Sequence, residues 1–202
     1  GNTFIGHDAG SNADGAEDNV FIGASAGGQN TLTGDDNVLV GQAAGYALTA
    51  GQGNVLIGKS AGKVMSTSEY NVAIGFQAMD LSTTLQHNNI AIGKNALGGN
   101  ATEPSDGTIN SIAIGTSALL VQNDADAINV AIGYQAGDAI VSGSLNTLIG
   151  YQAGSAIATT NGNTAVGFQA LMTNTAAANT AVGYKAGAEL GAGADNTALG
   201  AY

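Results

Sequence analysis

The sequence predicts an all-β protein, a parallel β-solenoid of about twelve coils with 16 to 22 residues in each coil. Three observations support this fold class. A five-residue word that ends in glycine recurs twelve times, two positions of the word are always aliphatic or β-branched, and the composition is rich in small residues, with 32 Gly and no Trp. Small apolar residues suit a thin core repeated along an axis better than one thick core.

The repeated word has the form Asn-x-x-x-Gly, as in residues 54–58 and 71–75. Successive glycines are 17, 18, 17, 17, 18, 22, 18, 17, 17, 16 and 17 residues apart, so the repeat fills one domain, 1–202. The spacing of 22 marks a longer loop at about 98–109. A two-helix repeat needs a longer period, and a propeller blade needs about 40 residues, so both are excluded.

Two positions of the word predict a strand. The residue before the glycine is Ile, Val or Leu, and the residue two places earlier is Thr, Val or Ile. Alternate β-branched residues favour a strand that presents both side chains on one face, and we expect that face to form the core. The residue between them is Phe21 or Leu39 in early copies and Ala73 or Ala165 in later ones. We expect it to lie on a second apolar surface that needs a cover, which favours an oligomer.

The first residue of the word is Asn in eleven copies, with Ser111 as the exception. Stacked coils would place these amides in a ladder along the axis. The ladder residues that we predict are Asn19, Asn37, Asn54, Asn71, Asn89, Asn129, Asn146, Asn163, Asn179 and Asn196.

The residues between two words include short apolar or threonine-rich stretches, such as 31–33, 47–49, 139–141 and 156–158. These stretches predict a second, weaker strand in each coil, followed by a polar turn. Each repeat would then be one turn of a two-stranded β-roll.

The charge excludes several classes of function. The net charge is −11 with only four lysines, which argues against nucleic acid as a partner and against docking to an anionic membrane. No apolar run is long enough for a membrane-spanning helix. The two histidines, His7 and His87, sit in no zinc or triad pattern, so we expect neither catalysis nor a cofactor.

One candidate binding site is a column of aromatic residues directly after the repeat glycine: Phe76, Tyr134, Tyr151, Phe168 and Tyr184. The last four occupy consecutive repeats and should stack. An aromatic ladder can bind sugars or bury a subunit interface, and it can also simply cover a corner of the roll. All three interpretations stay open.

Acidic residues suggest two further candidates. The loop at 98–109 carries Glu103 and Asp106, and insertions in solenoids often form binding loops, although a passive bulge is equally consistent. Asp35, Asp36, Asp124 and Asp126 cluster in turns and are weak candidates for Ca²⁺. Solvated turns that keep an acidic rod soluble explain the second group better.

Threonines stack in one column of the last four copies, at Thr147, Thr164, Thr180 and Thr197. Regular threonine arrays on a flat solenoid face can bind ice. Since Val or Ile fills this column in most earlier copies, we expect the column to be buried.

The words at 71–75, 111–115 and 129–133 resemble the head repeats of YadA-like trimeric autotransporter adhesins, and the longer stretch 163–171 resembles repeats of bacteriophage tail fibres. The resemblance covers nearly the whole chain. It implies a left-handed parallel β-roll, a side-by-side homotrimer, and binding to a host cell-surface receptor or glycan. It also implies an extracellular location, on a phage virion or a bacterial cell surface.

The sequence therefore favours a segment of an extracellular adhesin or tail fibre that presents a receptor-binding surface on a rigid rod. Two alternatives remain. The chain is either a purely structural spacer, with binding carried by other domains, or a monomeric ice-binding solenoid.

Overall fold

A computed structural model of the chain describes residues 1–28, 30–80, 86–98, 110–122 and 127–201. These residues form a β-solenoid with twelve strands of three residues each in one sheet. The strands are β1 Thr3–Ile5, β2 Val20–Ile22, β3 Val38–Val40, β4 Val55–Ile57, β5 Val72–Ile74, β6 Ile90–Ile92, β7 Ile112–Ile114, β8 Val130–Ile132, β9 Thr147–Ile149, β10 Thr164–Val166, β11 Thr180–Val182 and β12 Thr197–Leu199.

The strands pair in sequence order, and every pair is parallel. The register places equal positions of the word opposite each other, for example Val55 opposite Val72 and Ile57 opposite Ile74. The insertion between β6 and β7 leaves this register unchanged, since Ile90 still pairs with Ile112. The predicted parallel solenoid is thus confirmed.

The assignment of the two strand faces was wrong. The middle residue of the strand points into the coil, and Phe21, Leu39, Leu56 and Ala73 are fully buried there. The first and third residues point outward and are half-buried or exposed along the whole sheet. Both sets are apolar, so their alternation alone does not reveal which set faces the interior.

The interior accepts either Phe, Leu or Ala in the strand because a second column compensates for size. Four residues after the glycine, the chain has Gly where the strand has Leu56, but Met79 where the strand has Ala73. A Cβ atom added at Gly62 would lie 2.8 Å from Leu56 Cδ1. One large side chain from each such pair therefore fills the coil.

Ala131 and Ala181 stand opposite glycines, and neighbouring side chains fill these two coils. A Cβ atom added at Gly137 would lie 2.7 Å from Leu148 and 3.1 Å from Leu119. At Gly187 the nearest atom would belong to Leu190, at 2.9 Å.

The far side of the coil does not form the predicted second strand in the described ranges, where only two isolated bridges occur, Ala13 with Leu32 and Glu69 with His87. Backbone hydrogen bonds still join the coils there, such as Thr49 N to Ser66 O at 2.8 Å. A left-handed residue then precedes the next word, for example Asp36 at φ 60°. The apolar residues of this side still face the core: Leu32, Leu48, Ile140 and Ile157 are fully buried.

The asparagine ladder is confirmed and has a second role. Asn37 Oδ1 accepts hydrogen bonds from Asn54 N and Asn54 Nδ2, both at 3.0 Å. Asn54 Nδ2 also donates to Ser68 O at 2.8 Å, which ties the strand to the end of the same coil. Where Ser111 interrupts the ladder, Gln122 fills the gap: it donates to Ser111 Oγ at 2.9 Å and accepts from Asn129 Nδ2 at 2.9 Å.

The repeat glycine is required by the close approach of neighbouring coils. Gly93 has φ of 135°, and a Cβ atom on it would lie 2.6 Å from the carbonyl carbon of Gly115. No residue with a Cβ atom fits such a position without moving the backbone.

Candidate functional site

The largest candidate surface is the outward side of the sheet, formed by the first and third residues of all twelve strands; we call it the outer sheet face. Its 24 positions hold 19 aliphatic residues and five threonines, and no charged residue. Along the sheet these side chains are half-buried or exposed, and at the ends Ile5 and Leu199 are 58% and 75% exposed. The acidic residues of the chain all lie outside this face.

The threonine column belongs to the outer sheet face, so the expectation that it is buried was wrong. Thr147, Thr164 and Thr180 lie opposite one another in consecutive strands and are half-buried, and Thr197 in the last strand is exposed. Val and Ile share this column because it is an apolar outer surface, and not because it is core.

The aromatic ladder is present as predicted for four residues. The ring centroids of Tyr134 and Tyr151, Tyr151 and Phe168, and Phe168 and Tyr184 are 5.2, 5.1 and 5.3 Å apart, with nearly parallel planes. The next position of the coil forms a parallel row of amides, in which Gln152 donates to Gln135 Oε1 at 3.1 Å. The ladder thus stiffens one corner of the roll.

Stacking limits what the ladder can bind. The two faces of Tyr151 and of Phe168 are covered by neighbouring rings, so these two residues present only ring edges and the Tyr151 hydroxyl to solvent. Sugar binding by stacking needs an open ring face. Phe76 is different: it is exposed, and its neighbours in the column are Lys59 and Lys94.

The acidic turns have a conformational explanation. Asp18, Asp36 and Asp195 precede the ladder asparagine and have φ of 54°, 60° and 57°. Asn, Asp and Gly tolerate this left-handed conformation best. Asp35 Oδ1 accepts a hydrogen bond from the backbone N of Glu17 at 2.7 Å, so this carboxylate has a structural role.

Among the described residues, no three His, Asp or Glu side chains form a group that could hold a metal ion. Asp124 and Asp126, two of the four Ca²⁺ candidates, lie outside those residues, as do Glu103 and Asp106 of the insertion. Calcium binding and the role of the insertion stay predictions.

Sequence reasoning missed Asp80. Asp80 is buried, with only 4% of the residue exposed. Burial raises the pKa of this carboxyl, while a hydrogen bond from Gln77 and the charge of Lys63 lower it. The signal was available: Lys63 and Asp80 stand at the same position of consecutive repeats, five residues after the glycine, and therefore stack.

Neither histidine belongs to a group of three side chains that could hold a metal ion among the described residues. His7 is exposed, with Nδ1 2.9 Å from Asp8 Oδ2, and His87 forms the isolated bridge with Glu69. The absence of enzymatic activity stays a prediction. In the described part of the chain, no helix has the length and apolar character needed to cross a membrane.

No protein-family model, no curated protein and no solved structure matches this chain. The outer sheet face and the corner columns are therefore the features from which a function is inferred.

Proposed function

We propose that this chain is a rod-shaped segment of an extracellular fibre or adhesin, carried by a phage virion or a bacterial cell. Three copies associate side by side through their outer sheet faces. The corners and loops that remain exposed meet a host cell-surface receptor or glycan. This is the function that the repeat resemblance implies, and the outer sheet face is the observation that supports it best.

The outer sheet face needs a cover. It runs along all twelve strands, a length of about 55 Å at the usual strand spacing of about 4.8 Å. Monomeric proteins seldom expose a continuous apolar surface of more than a few hundred Å². A strip of this length that is two side chains wide therefore favours burial against another molecule.

A second copy of the same chain is the partner that fits. The net charge of −11 would make two copies repel each other over most of their surface. The outer sheet face has no charge at any of its 24 positions, so two copies can meet there without placing like charges in contact. Its periodic rows are the same on every copy, as a symmetric assembly requires.

Association through this face is tested by the native mass and by the variant Ile74→Lys, measured by light scattering after size exclusion. Ile74 lies in β5, in the interior of the sheet, and points outward. We expect a mass of three chains for the natural sequence. We expect a single chain for the variant, since three buried ammonium groups would have no partner.

The matched control is Thr67→Lys, which adds the same charge at an exposed position outside the sheet. It should keep the mass of three chains. A single-chain mass for the natural sequence would refute the trimer, and an unchanged mass for Ile74→Lys would place the interface elsewhere.

The outward-facing threonine column favours ice binding as a second candidate. The Thr-x-aliphatic pattern of β9 to β12 puts threonines in register on the outer sheet face. This function requires a chain whose face stays uncovered. A single-chain mass together with thermal hysteresis would support it, and absence of hysteresis would remove it.

The third candidate is a spacer that binds nothing. Incubation of the isolated chain with host cells and with a printed glycan panel separates it from an adhesin. Binding to either would contradict the spacer.

A further inference from the structure

The outer sheet face is bordered by two margins, one at each end of the strands. The asparagine-side margin consists of the residue before each ladder position, and the glycine-side margin consists of the residue after each repeat glycine. All of these residues lie in the described ranges, and nearly all of them are exposed. In the coil of β9 the two margin residues are Leu145 and Tyr151.

The two margins carry opposite charges. The charged side chains of the asparagine-side margin are all acidic, at Asp18, Asp36 and Asp195. The glycine-side margin holds Lys59 and Lys94 and no carboxylate. Contact between unlike margins of two copies therefore pairs a side of the rod that carries acidic charge with a side that carries basic charge, and it places no like charges together.

Leu145 in the asparagine-side margin is unexplained within a single copy. It has a φ of 60° and is 63% exposed. Gly, Asn and Asp tolerate left-handed conformation better than Leu, and Leu145 gains no burial in return, whereas left-handed Met79 and Leu119 are fully buried. Ile128 in the preceding coil is exposed as well, and its carbonyl accepts a hydrogen bond from Leu145 N at 2.9 Å. This pair of side chains favours a partner that covers it.

The residues of the two margins match coil by coil. Large apolar residues occur in the asparagine-side margin only before β5, β8 and β9, and in each case an aromatic residue follows the glycine of the same coil. The three combinations are Tyr70 with Phe76, Ile128 with Tyr134, and Leu145 with Tyr151, and all six side chains are exposed. Within one copy a strand separates the two members. The match is explained if the members touch in neighbouring copies that stand at equal height.

We infer that the asparagine-side margin of one copy packs against the glycine-side margin of the next, with the copies parallel and in axial register. Rotation about the rod axis keeps every residue at its height, so Leu145 of one copy meets Tyr151 of its neighbour. A ring closed by such a rotation joins unlike margins at every contact. This inference rests on the proposed function, because it specifies how the outer sheet faces are brought together.

Disulfide cross-linking tests this arrangement, because the natural sequence contains no cysteine. In Leu145→Cys/Tyr151→Cys, the extended strand β9 holds the two positions of one copy further apart than the roughly 7 Å that a disulfide spans. A disulfide therefore joins two copies. We expect oxidation with diamide to convert most of the protein to covalent trimers on a non-reducing gel, and each single variant to stay as separate chains.

The matched control is Lys59→Cys/Tyr151→Cys, which places two thiols on the same margin at exposed positions of different height. It should give no cross-link in the parallel arrangement. In an antiparallel arrangement β4 of one copy lies opposite β9 of the other, so this control would cross-link and Leu145→Cys/Tyr151→Cys would not. Thermal melting establishes that all variants are folded.

Leu145→Asn gives an independent readout. Asparagine suits the φ of 60°, so the single chain should fold as well as the natural one. Loss of the apolar contact should raise the concentration at which the assembly half-dissociates about tenfold or more.

Absence of cross-linking in Leu145→Cys/Tyr151→Cys, cross-linking of the control, or unchanged dissociation of Leu145→Asn would overturn the inference. Light scattering separates the two proposals. A mass of three chains with any of these results leaves the fibre proposal standing, whereas a single-chain mass for the natural sequence refutes both.

Discussion

At the residue scale, the solenoid forces many non-glycine residues into left-handed backbone conformation at three fixed points of the coil. Gln77, Met79 and Asn88 in one stretch of chain have φ of 54°, 54° and 58°. Each such residue costs roughly 1–2 kcal/mol relative to a right-handed conformation. Hydrogen bonds to both neighbouring coils and burial of the interior must therefore outweigh this cost at every coil.

Substitution of a repeat glycine should be far more costly than substitution of a turn glycine. Gly93→Ala combines φ of 135° with a Cβ atom 2.6 Å from the next coil, so we expect a loss of stability of about 3 kcal/mol or more. Gly191→Ala has φ of 56° and nothing within 4 Å, and should lose only about 1–2 kcal/mol, the cost of the left-handed conformation alone. Urea denaturation measures both; equal losses would mean that close coil contact is not what requires glycine.

Asp80 gives stability a defined pH dependence. Burial raises its pKa above the ordinary 3.8, so the folded state holds this proton more tightly than the unfolded chain. Below pH 3.8 the carboxyl is protonated in both states, so it does not lower the free energy of unfolding. As pH rises from 3.8 through the raised pKa, ionisation of the buried carboxyl lowers the free energy of unfolding progressively. Asp80→Asn should therefore melt at the same temperature as the natural chain at low pH, and at a higher temperature than the natural chain at neutral pH.

Asp36→Asn controls for the change of net charge in this experiment, because it removes an exposed carboxylate. The quantity to compare is the difference in melting temperature between each variant and the natural chain. If this difference is constant with pH for Asp80→Asn, or equals the difference for Asp36→Asn, then burial of Asp80 is not the cause.

At the scale of one element, the coil is a ring of matched sizes. The strand residue and the residue four places after the glycine share one space, so Leu56 faces Gly62 and Ala73 faces Met79. This exchange also explains how Met79, Leu97, Leu119 and Leu171 come to hold left-handed conformation at a position where glycine is usual. Their burial compensates for the strain.

Exchange of the two sizes within one coil is testable. Ala73→Leu alone should overpack the interior and cost about 1–3 kcal/mol. Met79→Gly alone should leave a cavity and cost about 2–5 kcal/mol. Together they recreate the pair of the preceding coil, so the double variant should be more stable than the sum of the two losses implies. Urea denaturation in a double-mutant cycle checks this, and additive losses would contradict the shared space.

At the scale of the whole molecule, the rod has contacts only between neighbouring coils, because each strand pairs only with those next to it. The ends differ from the middle. In β1 all three residues are exposed, whereas the middle residues of β2 to β11 are buried. Nearest-neighbour stabilisation predicts that such ends open first.

Hydrogen exchange should show this gradient. Amides of β1 and β12 should exchange fastest, and those of β5 to β8 slowest, since opening the middle requires the loss of two coil contacts. The measurement is exchange followed by mass spectrometry on the isolated chain. Uniform protection along the chain would mean that the rod opens as one cooperative unit.

Much of the fold followed from the sequence. A fixed repeat length stacks equal positions, so the register, the asparagine ladder and the aromatic ladder from Tyr134 to Tyr184 could all be predicted. Which face of the strand points into the coil could not be predicted, because the residues on both faces are apolar, as in the sequence Ile-Ala-Ile. The size exchange between Ala73 and Met79 was the sequence signal that would have identified the inner face.

By itself, then, the sequence determined the architecture: a period of about 17 residues, with glycine and asparagine at fixed places, permits only stacked coils. Tertiary structure decided which apolar column is core and which forms the outer sheet face, since closure of the coil leaves room for one large side chain at each level. It also decided that Leu145 is exposed while Met79, in the same left-handed conformation, is buried, since only one of the two points into the coil.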